Sequence, residues 1–326
     1  MVSVNSPTAV SPRTSAKLSG STLPSPASID AKQAALKRAL SAAPFLARTE
    51  GDFAASSRIP SMAAIPDDLA LALELADLAD MITLRRYRAD DLVVETKPDL
   101  TPVTEADRDT ERALREQLTI ARPADSVIGE EYGVSTAPDS TRRWILDPID
   151  GTKNYVRGIP VWATLIALEE DGRGTVGVVS APALHRRWWG AAGGGAFVSD
   201  GLGASPEPRR IEVSGVRELA DAQLGLSGWE EWEQAGRGEP MLELTRRCWR
   251  SRGFGDFWGY MLVAEGALDV DVDPVVSLWD LAASLVIVRE AGGRLTDLGG
   301  RETAGGGDVI ASNGLLHDAA LAIIGR

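Results

Sequence analysis

Residues 144–152 read Trp144-Ile145-Leu146-Asp147-Pro148-Ile149-Asp150-Gly151-Thr152, an apolar strand that runs straight into two carboxylates three positions apart. Pro148 fixes its own φ and biases Asp147 towards extended geometry, so both acids and the Ile149 carbonyl can face one point. Hard oxygen ligands of this kind suit Mg²⁺, which takes six oxygens at about 2.0–2.1 Å and keeps waters and phosphate oxygens in its shell. Gly151 and Thr152 follow with backbone N–H groups that attract an anion if they open a helix. An isolated Asp-x-x-Asp is more often an Asx-turn with ordinary caps. Two further acid clusters argue against that here: Gly129-Glu130-Glu131 after an apolar run, and Asp280 at the start of the apolar segment Ser277-Leu278-Trp279-Asp280-Leu281-Ala282-Ala283. Taken singly, the first reads as a solvated loop and the second as helix capping.

Composition narrows the chemistry further. The chain has 326 residues, 44% hydrophobic and 25% charged, which is globular composition, and its 47 acids against 34 bases give a net charge of −13. Such a surface repels nucleic acid phosphates and anionic membranes, so neither is expected as a partner. One cysteine, Cys248, excludes an internal disulfide, and two histidines, His185 and His317, are too few for an imidazole-built metal site. Metal and acid–base chemistry must therefore come from carboxylates. No apolar run reaches membrane-spanning length, and no secretory apolar block opens the chain; a soluble cytoplasmic protein is expected.

Organisation changes near Met62. Residues 1–61 are rich in Ser, Ala and Pro, carry seven bases against three acids and hold no tryptophan, whereas all nine tryptophans lie beyond. Three readings of this extension stay open: a disordered tail, upstream sequence that is not translated, with Met62 as the start, or an organelle transit peptide, for which Asp30, Glu50 and Asp52 are unsuited. Residues 62–326 form the expected functional domain. There, Leu71, Leu75, Leu78 and Ile82 mark a helical stripe that Asp67 or Asp68 can cap, and Thr104 opens a second helix through Ala106, Leu114 and Leu118. Short apolar runs at 127–129, 144–146, 161–168, 176–179 and 187–189 predict strands, with Gly193–Gly195 as a hairpin turn. Helices near 257–265, 279–291 and after 315, and strands near 268–272, 294–298 and 309–311, complete an α/β (α+β) pattern.

Four motifs in order resemble the signatures of the inositol monophosphatase superfamily: Lys97-x-Asp99-x-Thr101-x-Val103-Thr104-x-Ala106-Asp107, Gly129-Glu130-Glu131, Asp147-Pro148-Ile149-Asp150-Gly151-Thr152 and Trp279-Asp280-x-Ala282-Ala283. The resemblance covers about residues 69–325. It implies a layered αβαβα sandwich, usually a homodimer, that hydrolyses small phosphate monoesters with two or three Mg²⁺ ions. By position, Glu130, Asp147 and the Ile149 carbonyl resemble the ligands of one metal, and Asp147, Asp150 and Asp280 those of a second, with Asp147 bridging. Glu130 also resembles a ligand of a third, weaker ion, and Thr152 with Asp107 the pair that orients or deprotonates the attacking water. Gly151 and Thr152 would bind the phosphate. Thr104-x-x-Asp107 also reads as a capping box, and the two roles are compatible in part.

The substrate's alcohol is expected to lie against residues 224–280. Gly255-Asp256-Phe257-Trp258-Gly259-Tyr260, Arg157-Gly158-Ile159-Pro160-Val161-Trp162 and Ala181-Pro182-Ala183 resemble the histidinol-phosphatase branch. Asp256 and Asp273 are the expected substrate contacts, because histidinol phosphate carries an ammonium and an imidazole that acids can pair with. Their plain readings are a helix cap and a surface turn. Trp229, Trp232 and Trp258 could flank an imidazole or belong to the core. Inositol 1-phosphate and 3′-phosphoadenosine 5′-phosphate are the alternative substrates, and a non-catalytic binding or regulatory member is the alternative class. Leu268-Asp269-Val270-Asp271-Val272 resembles the aspartate-nucleophile loop of haloacid-dehalogenase phosphatases but lacks its companion motifs, and the glycines at 193–195 and 305–307 lack phosphate-loop spacing.

Overall fold

The computed structural model describes residues 66–98, 100–201 and 208–325. Asp99, Met62 and the extension over residues 1–61 lie outside the described residues. The first helix, α1 (Asp67–Arg86), leads into a ribbon of β1 (Val94–Thr96) and β2 (Pro102–Thr104), then α2 (Glu105–Ala121). An eight-stranded sheet follows from β3 (Ser126–Gly129), β4 (Gly133–Ser135), β5 (Arg142–Asp150), β6 (Ala163–Glu170), β7 (Arg173–Ala181), β8 (Arg186–Ala191), β9 (Gly195–Asp200) and β10 (Arg209–Ile211). Its strand order is β10-β9-β8-β7-β6-β5-β3-β4. Neighbours pair antiparallel except β3 with β5, whose parallel register sets Gly129 opposite Leu146.

Both faces of this sheet are covered, which is why its strands read as near-continuous apolar runs. Alternate residues divide between two cores. Trp144, Leu146, Ile166, Leu168, Val176 and Val178 pack with Leu75, Leu114 and Leu118 of α1 and α2. Ile145, Leu165, Ala167 and Val179 turn the other way and meet Phe257, Leu281 and Leu285. Those last residues belong to a middle helical layer. Counting on from α3 (Thr152–Val156), α4 (Trp229–Gln234) and α5 (Gly238–Arg247), that layer consists of α6 (Asp256–Ala264) and α7 (Leu278–Glu290). Beyond it lies a five-stranded sheet of β11 (Gln223–Leu226), β12 (Arg250–Gly253), β13 (Val270–Asp273), β14 (Arg294–Thr296) and β15 (Val309–Ser312), in the order β12-β11-β13-β15-β14. Its outer face packs Leu224, Val270, Val272 and Ile310 against Met241, Leu244 and Ile323 of α5 and α8 (His317–Ile324). The order of layers is helix, sheet, helix, sheet, helix, as the motif resemblance implies.

Two local expectations need correction. The buried stripe of α1 runs through Leu69, Ala72, Ala76, Ala79, Asp80 and Thr83 as well as Leu75, while Leu71 and Leu78 are only half-buried. Two polar residues on the buried face hide its periodicity: Asp80 accepts from Ser180 Oγ at 2.9 Å and from Arg187 Nη2 at 2.6 Å. Neither Asp67 nor Asp68 caps α1, whose N-cap is Pro66; Asp68 instead pairs with Arg122 and Arg142. Gly193–Gly195 form the β8–β9 hairpin, and Gly305–Gly307 lie in the longer loop that joins the antiparallel pair β14 and β15. Among the described residues, no helix is long and apolar enough to cross a membrane.

Candidate active site

Two adjacent strand ends build the centre. Because β3 and β5 run parallel with Gly129 beside Leu146, the next residues, Glu130 and Asp147, emerge side by side at the same pole of the sheet. Three positions along an extended strand ordinarily place side chains on opposite faces. The β5–β6 register breaks between Asp147 and Asp150, with Pro148 inside the irregularity, and this re-aims Asp150. Asp280 arrives from the first turn of α7, where its Oδ2 accepts from the Ser277 N–H at 2.7 Å. Carboxylate oxygens of Asp147, Asp150 and Asp280 all lie within 4.8 Å of one another. Asp150 is also tied down: its Oδ2 accepts from the Phe257 N–H at 2.6 Å, which fixes the start of α6 against the strand.

Glu130 sits at the rim of the same centre and is not one of those three. Its Oε1 accepts from Lys97 Nζ at 2.7 Å, and Lys97 also donates to Glu131 Oε1 at 2.6 Å. Burial disfavours the charged lysine, but the two carboxylates outweigh it and raise its pKa. The loop itself is held by a residue that sequence reading missed, Glu111. Fully buried on α2, it accepts from the Glu131 N–H at 2.7 Å and the Tyr132 N–H at 3.2 Å and pairs with Arg115. A Cβ on Gly129 would lie 2.0 Å from Glu111 Oε1, so the glycine makes room for the acid. A glutamate in mid-helix ordinarily signals a solvated face. Only Gly129, in register with the strand end, hinted otherwise.

Asp107 caps and faces the centre at once. One oxygen, Oδ2, accepts from the N–H of Thr104 at 2.8 Å and from its hydroxyl at 2.5 Å, closing the capping box of α2. The other accepts from Thr152 Oγ1 at 3.2 Å. Thr152 Oγ1 also lies 2.9 Å from the Ile149 carbonyl, so a single hydroxyl proton faces two acceptors. Gly151, with φ +79°, turns the chain from β5 into α3; a Cβ there would lie 3.0 Å from the Val161 carbonyl. Gly151 and Thr152 thus stand where α3 begins, beside Asp150.

Asp256 opens α6 beside Gly151, where a Cβ would lie 3.3 Å from its Oδ2. Asn154 Nδ2 donates to Asp256 Oδ2 at 2.8 Å and holds that residue at φ +50° at the start of α6. Asp273, at the end of β13, accepts from the Val275 N–H at 3.3 Å. Of the three tryptophans, Trp232 is fully buried in the outer core, so it cannot flank a ligand. Trp258 stacks edge-on against Phe254 at 5.7 Å, and Trp229 is exposed. Asp269 immediately precedes strand β13 and Asp271 lies within it: Asp269 accepts from Ser214 and the Gln223 N–H, and Asp271 is enclosed by Gly225 and Gly259. This is an interior structural pair, not the exposed strand-end loop of an aspartate nucleophile.

Electrostatically the centre is acidic, with Lys97 at its rim. Burial, followed by repulsion from the neighbouring acids, raises the pKa of Asp147 and Asp150 well above the usual carboxylate range, and burial raises Glu130 and Asp280. Asp147 Oδ1 is buried with no hydrogen-bond partner among the described residues. Such an orphaned acceptor among converging anions is costly unless a cation sits between them. Three or four hard oxygens on rigid elements are the donor set that a divalent metal of the Mg²⁺ type takes, so the residues present fit such an ion.

Comparisons with known proteins bear on the family and the fold. Residues 67–325 match the family model described as "Inositol monophosphatase family". A curated histidinol-phosphatase of Mycobacterium tuberculosis is 57% identical over 256 residues, covering 78% of this chain and 96% of the relative. A histidinol-phosphatase of Streptomyces coelicolor is 53% identical over 265 residues, covering 80% and 97%. Among solved structures, an IMPase of Thermotoga maritima superposes with a TM-score of 0.68 at 31% identity, covering 79% of this chain and 97% of that one.

Proposed function

The chain belongs to the inositol monophosphatase family, and on that premise we propose that this phosphate monoester hydrolase is a Mg²⁺-dependent histidinol-phosphatase, converting L-histidinol phosphate and water to L-histidinol and phosphate. The observation that carries the substrate is the identity of 57% and 53% to two histidinol-phosphatases over nearly their whole length, against 31% to the IMPase of the same fold. The acids Asp256 and Asp273 support it, since a cationic imidazole or ammonium gains from them what a neutral polyol does not.

In this reading Asp147, Asp150, Asp280, Glu130 and the Ile149 carbonyl hold two or three Mg²⁺ ions. Bound there, such ions offset charge on the phosphoryl and leaving oxygens and acidify water. The protein's own groups do the rest. Gly151 and Thr152 present the start of α3 to the phosphate. When the Thr152 hydroxyl proton points to Asp107, its lone pairs face an incoming water and orient it. Asp107, its pKa pushed up to about 6 by burial, stays ionised at neutral pH yet is basic enough to draw a proton through Thr152. Lys97 neutralises Glu131 and part of Glu130, which keeps the rim from repelling a dianionic ester.

The test is phosphate release from histidinol phosphate, inositol 1-phosphate and 3′-phosphoadenosine 5′-phosphate, each with and without Mg²⁺. Histidinol phosphate is expected to show the highest kcat/KM, and chelation is expected to stop release from all three. A higher kcat/KM for inositol 1-phosphate would overturn the substrate, and no release from any ester by folded protein would return the chain to a binding role.

A further inference from the structure

Glu130, Glu131 and Tyr132 form the turn that joins β3 to β4, where Gly129 stands opposite Gly133. Backbone N–H groups in a turn are ordinarily left to water or to a local side chain. Here all three have partners from other elements. The Glu130 N–H donates to the Leu146 carbonyl of β5 at 3.2 Å. Glu111 of α2 takes the other two, one on each carboxylate oxygen: the Glu131 N–H at 2.7 Å on Oε2 and the Tyr132 N–H at 3.2 Å on Oε1. Arg115, one helical turn further on, donates Nε to Glu111 Oε1 at 2.7 Å and Nη2 to the Gly133 carbonyl. A fully buried carboxylate thus plugs the turn, in space that the missing side chain of Gly129 leaves open.

Burying a charge is costly even when it is paired, so the plug needs a reason. Core formation does not supply one, because β4 is exposed along its whole length. The acidic centre does. Leu146, which accepts from Glu130, is followed directly by Asp147, and burial and then Glu130 raise the pKa of Asp147, as two carboxylates close together require. Asp107 lies one helical turn before Glu111, and both are buried on α2. One helix face therefore carries the carboxylate that partners Thr152 and the carboxylate that fixes the Glu130 turn. We infer that Glu111 is a positioning residue for the acidic centre: with Arg115 it fixes the Glu130 turn before any cation arrives, and it ties that turn to the helix that carries Asp107. This rests on the reading of Glu130 as a Mg²⁺ ligand.

Calorimetric Mg²⁺ titration of the full-length protein and its Glu111→Gln variant tests this, together with amide hydrogen exchange of the metal-free native chain. Glutamine keeps the shape but meets two N–H donors with one oxygen and one NH₂ group. In the variant, one class of Mg²⁺ site is expected to weaken about 10–100-fold, the usual effect of losing a partner of a metal ligand, while a class held by Asp147, Asp150 and Asp280 is retained. At Mg²⁺ levels that saturate the native chain, kcat for histidinol phosphate is expected to fall by about tenfold or more, with KM within about twofold. In the metal-free native chain, the Glu131 and Tyr132 amides are expected to exchange as slowly as those inside β3. An unchanged isotherm in folded Glu111→Gln protein, equal weakening of every Mg²⁺ site, or fast exchange of the two amides without metal would each overturn the assignment. The exchange measurement needs no variant and decides even where Glu111→Gln does not fold. Absence of Mg²⁺ binding by the native chain would instead overturn the metal reading, and this inference with it.

Discussion

Asp147 contributes an oxygen that nothing among the described residues satisfies, in a strand end that four other acids surround. Outer partners of a metal site cost about 10–100-fold in activity when mutated, and a direct ligand costs more. Asp147→Asn is therefore expected to lower kcat more than a hundredfold, measured by phosphate release at saturating Mg²⁺. Thr152→Val removes a hydroxyl that lies between two acceptors; a drop in kcat of about 10²–10⁴ with little change in KM is expected, and Thr152→Ser restores most of it. Cys248 offers a contrast: burial pushes its thiol up to about 12. Alkylation at pH 8 should leave the native chain unmodified and label it promptly in denaturant. At this scale the site was legible where acids coincide with strand ends and glycines, as at 130, 147 and 150, or open an apolar helix, as at 280. It was illegible at Glu111, because a buried helical carboxylate is written in sequence with the same letter as an exposed one.

Between elements, several glycines matter for what stands opposite them. Asp271 of β13 fits only because β11 and α6 present Gly225 and Gly259: a Cβ on either would come within 2.0 Å of its carboxylate. Gly259→Ala is expected to destabilise the fold by about 1–3 kcal/mol, the usual cost of overpacking. Asp271→Ala in that background should recover part of the loss, and a double-mutant cycle by urea unfolding reads the coupling. The element pattern explains what the sequence could and could not reveal. Helices α2 and α7 announced themselves through a capping threonine and a run of apolar residues. The face of α1 did not, since alanines and the buried Asp80 carry it where leucines were expected. Likewise the spacing of Asp147 and Asp150 suggested convergence, but the register break that achieves it belongs to the pairing of β5 with β6 and leaves no mark beyond Pro148.

For the whole molecule, buried acids set the response to pH. Burial pushes Asp107 and Asp256 up to about 6 and Asp273 up to about 7, from an ordinary value of 3.8. Between pH 7 and 4 the folded chain therefore binds protons that the unfolded chain does not, and cation-free protein gains stability as the pH falls. His317 opposes this: burial lowers it from 6.5 to about 4, so its share of stability is lost over pH 6.5 to 4. Three acids outweigh one imidazole, and the Tm of chelated protein is expected to rise from pH 7.5 to 5. Mg²⁺ should raise Tm at pH 7.5 more than at pH 5, because its ligands must be ionised. The layering was readable because doubly covered strands are apolar on both faces, but which helices lie between the two sheets is a property of the folded chain alone. Helix α7 carries eight consecutive buried residues, Leu281 to Val288. With no side left for solvent, it serves as common filling for both halves of the sandwich. Neither half can be cut free as a self-sufficient piece, and calorimetry should record one melting event for the pair.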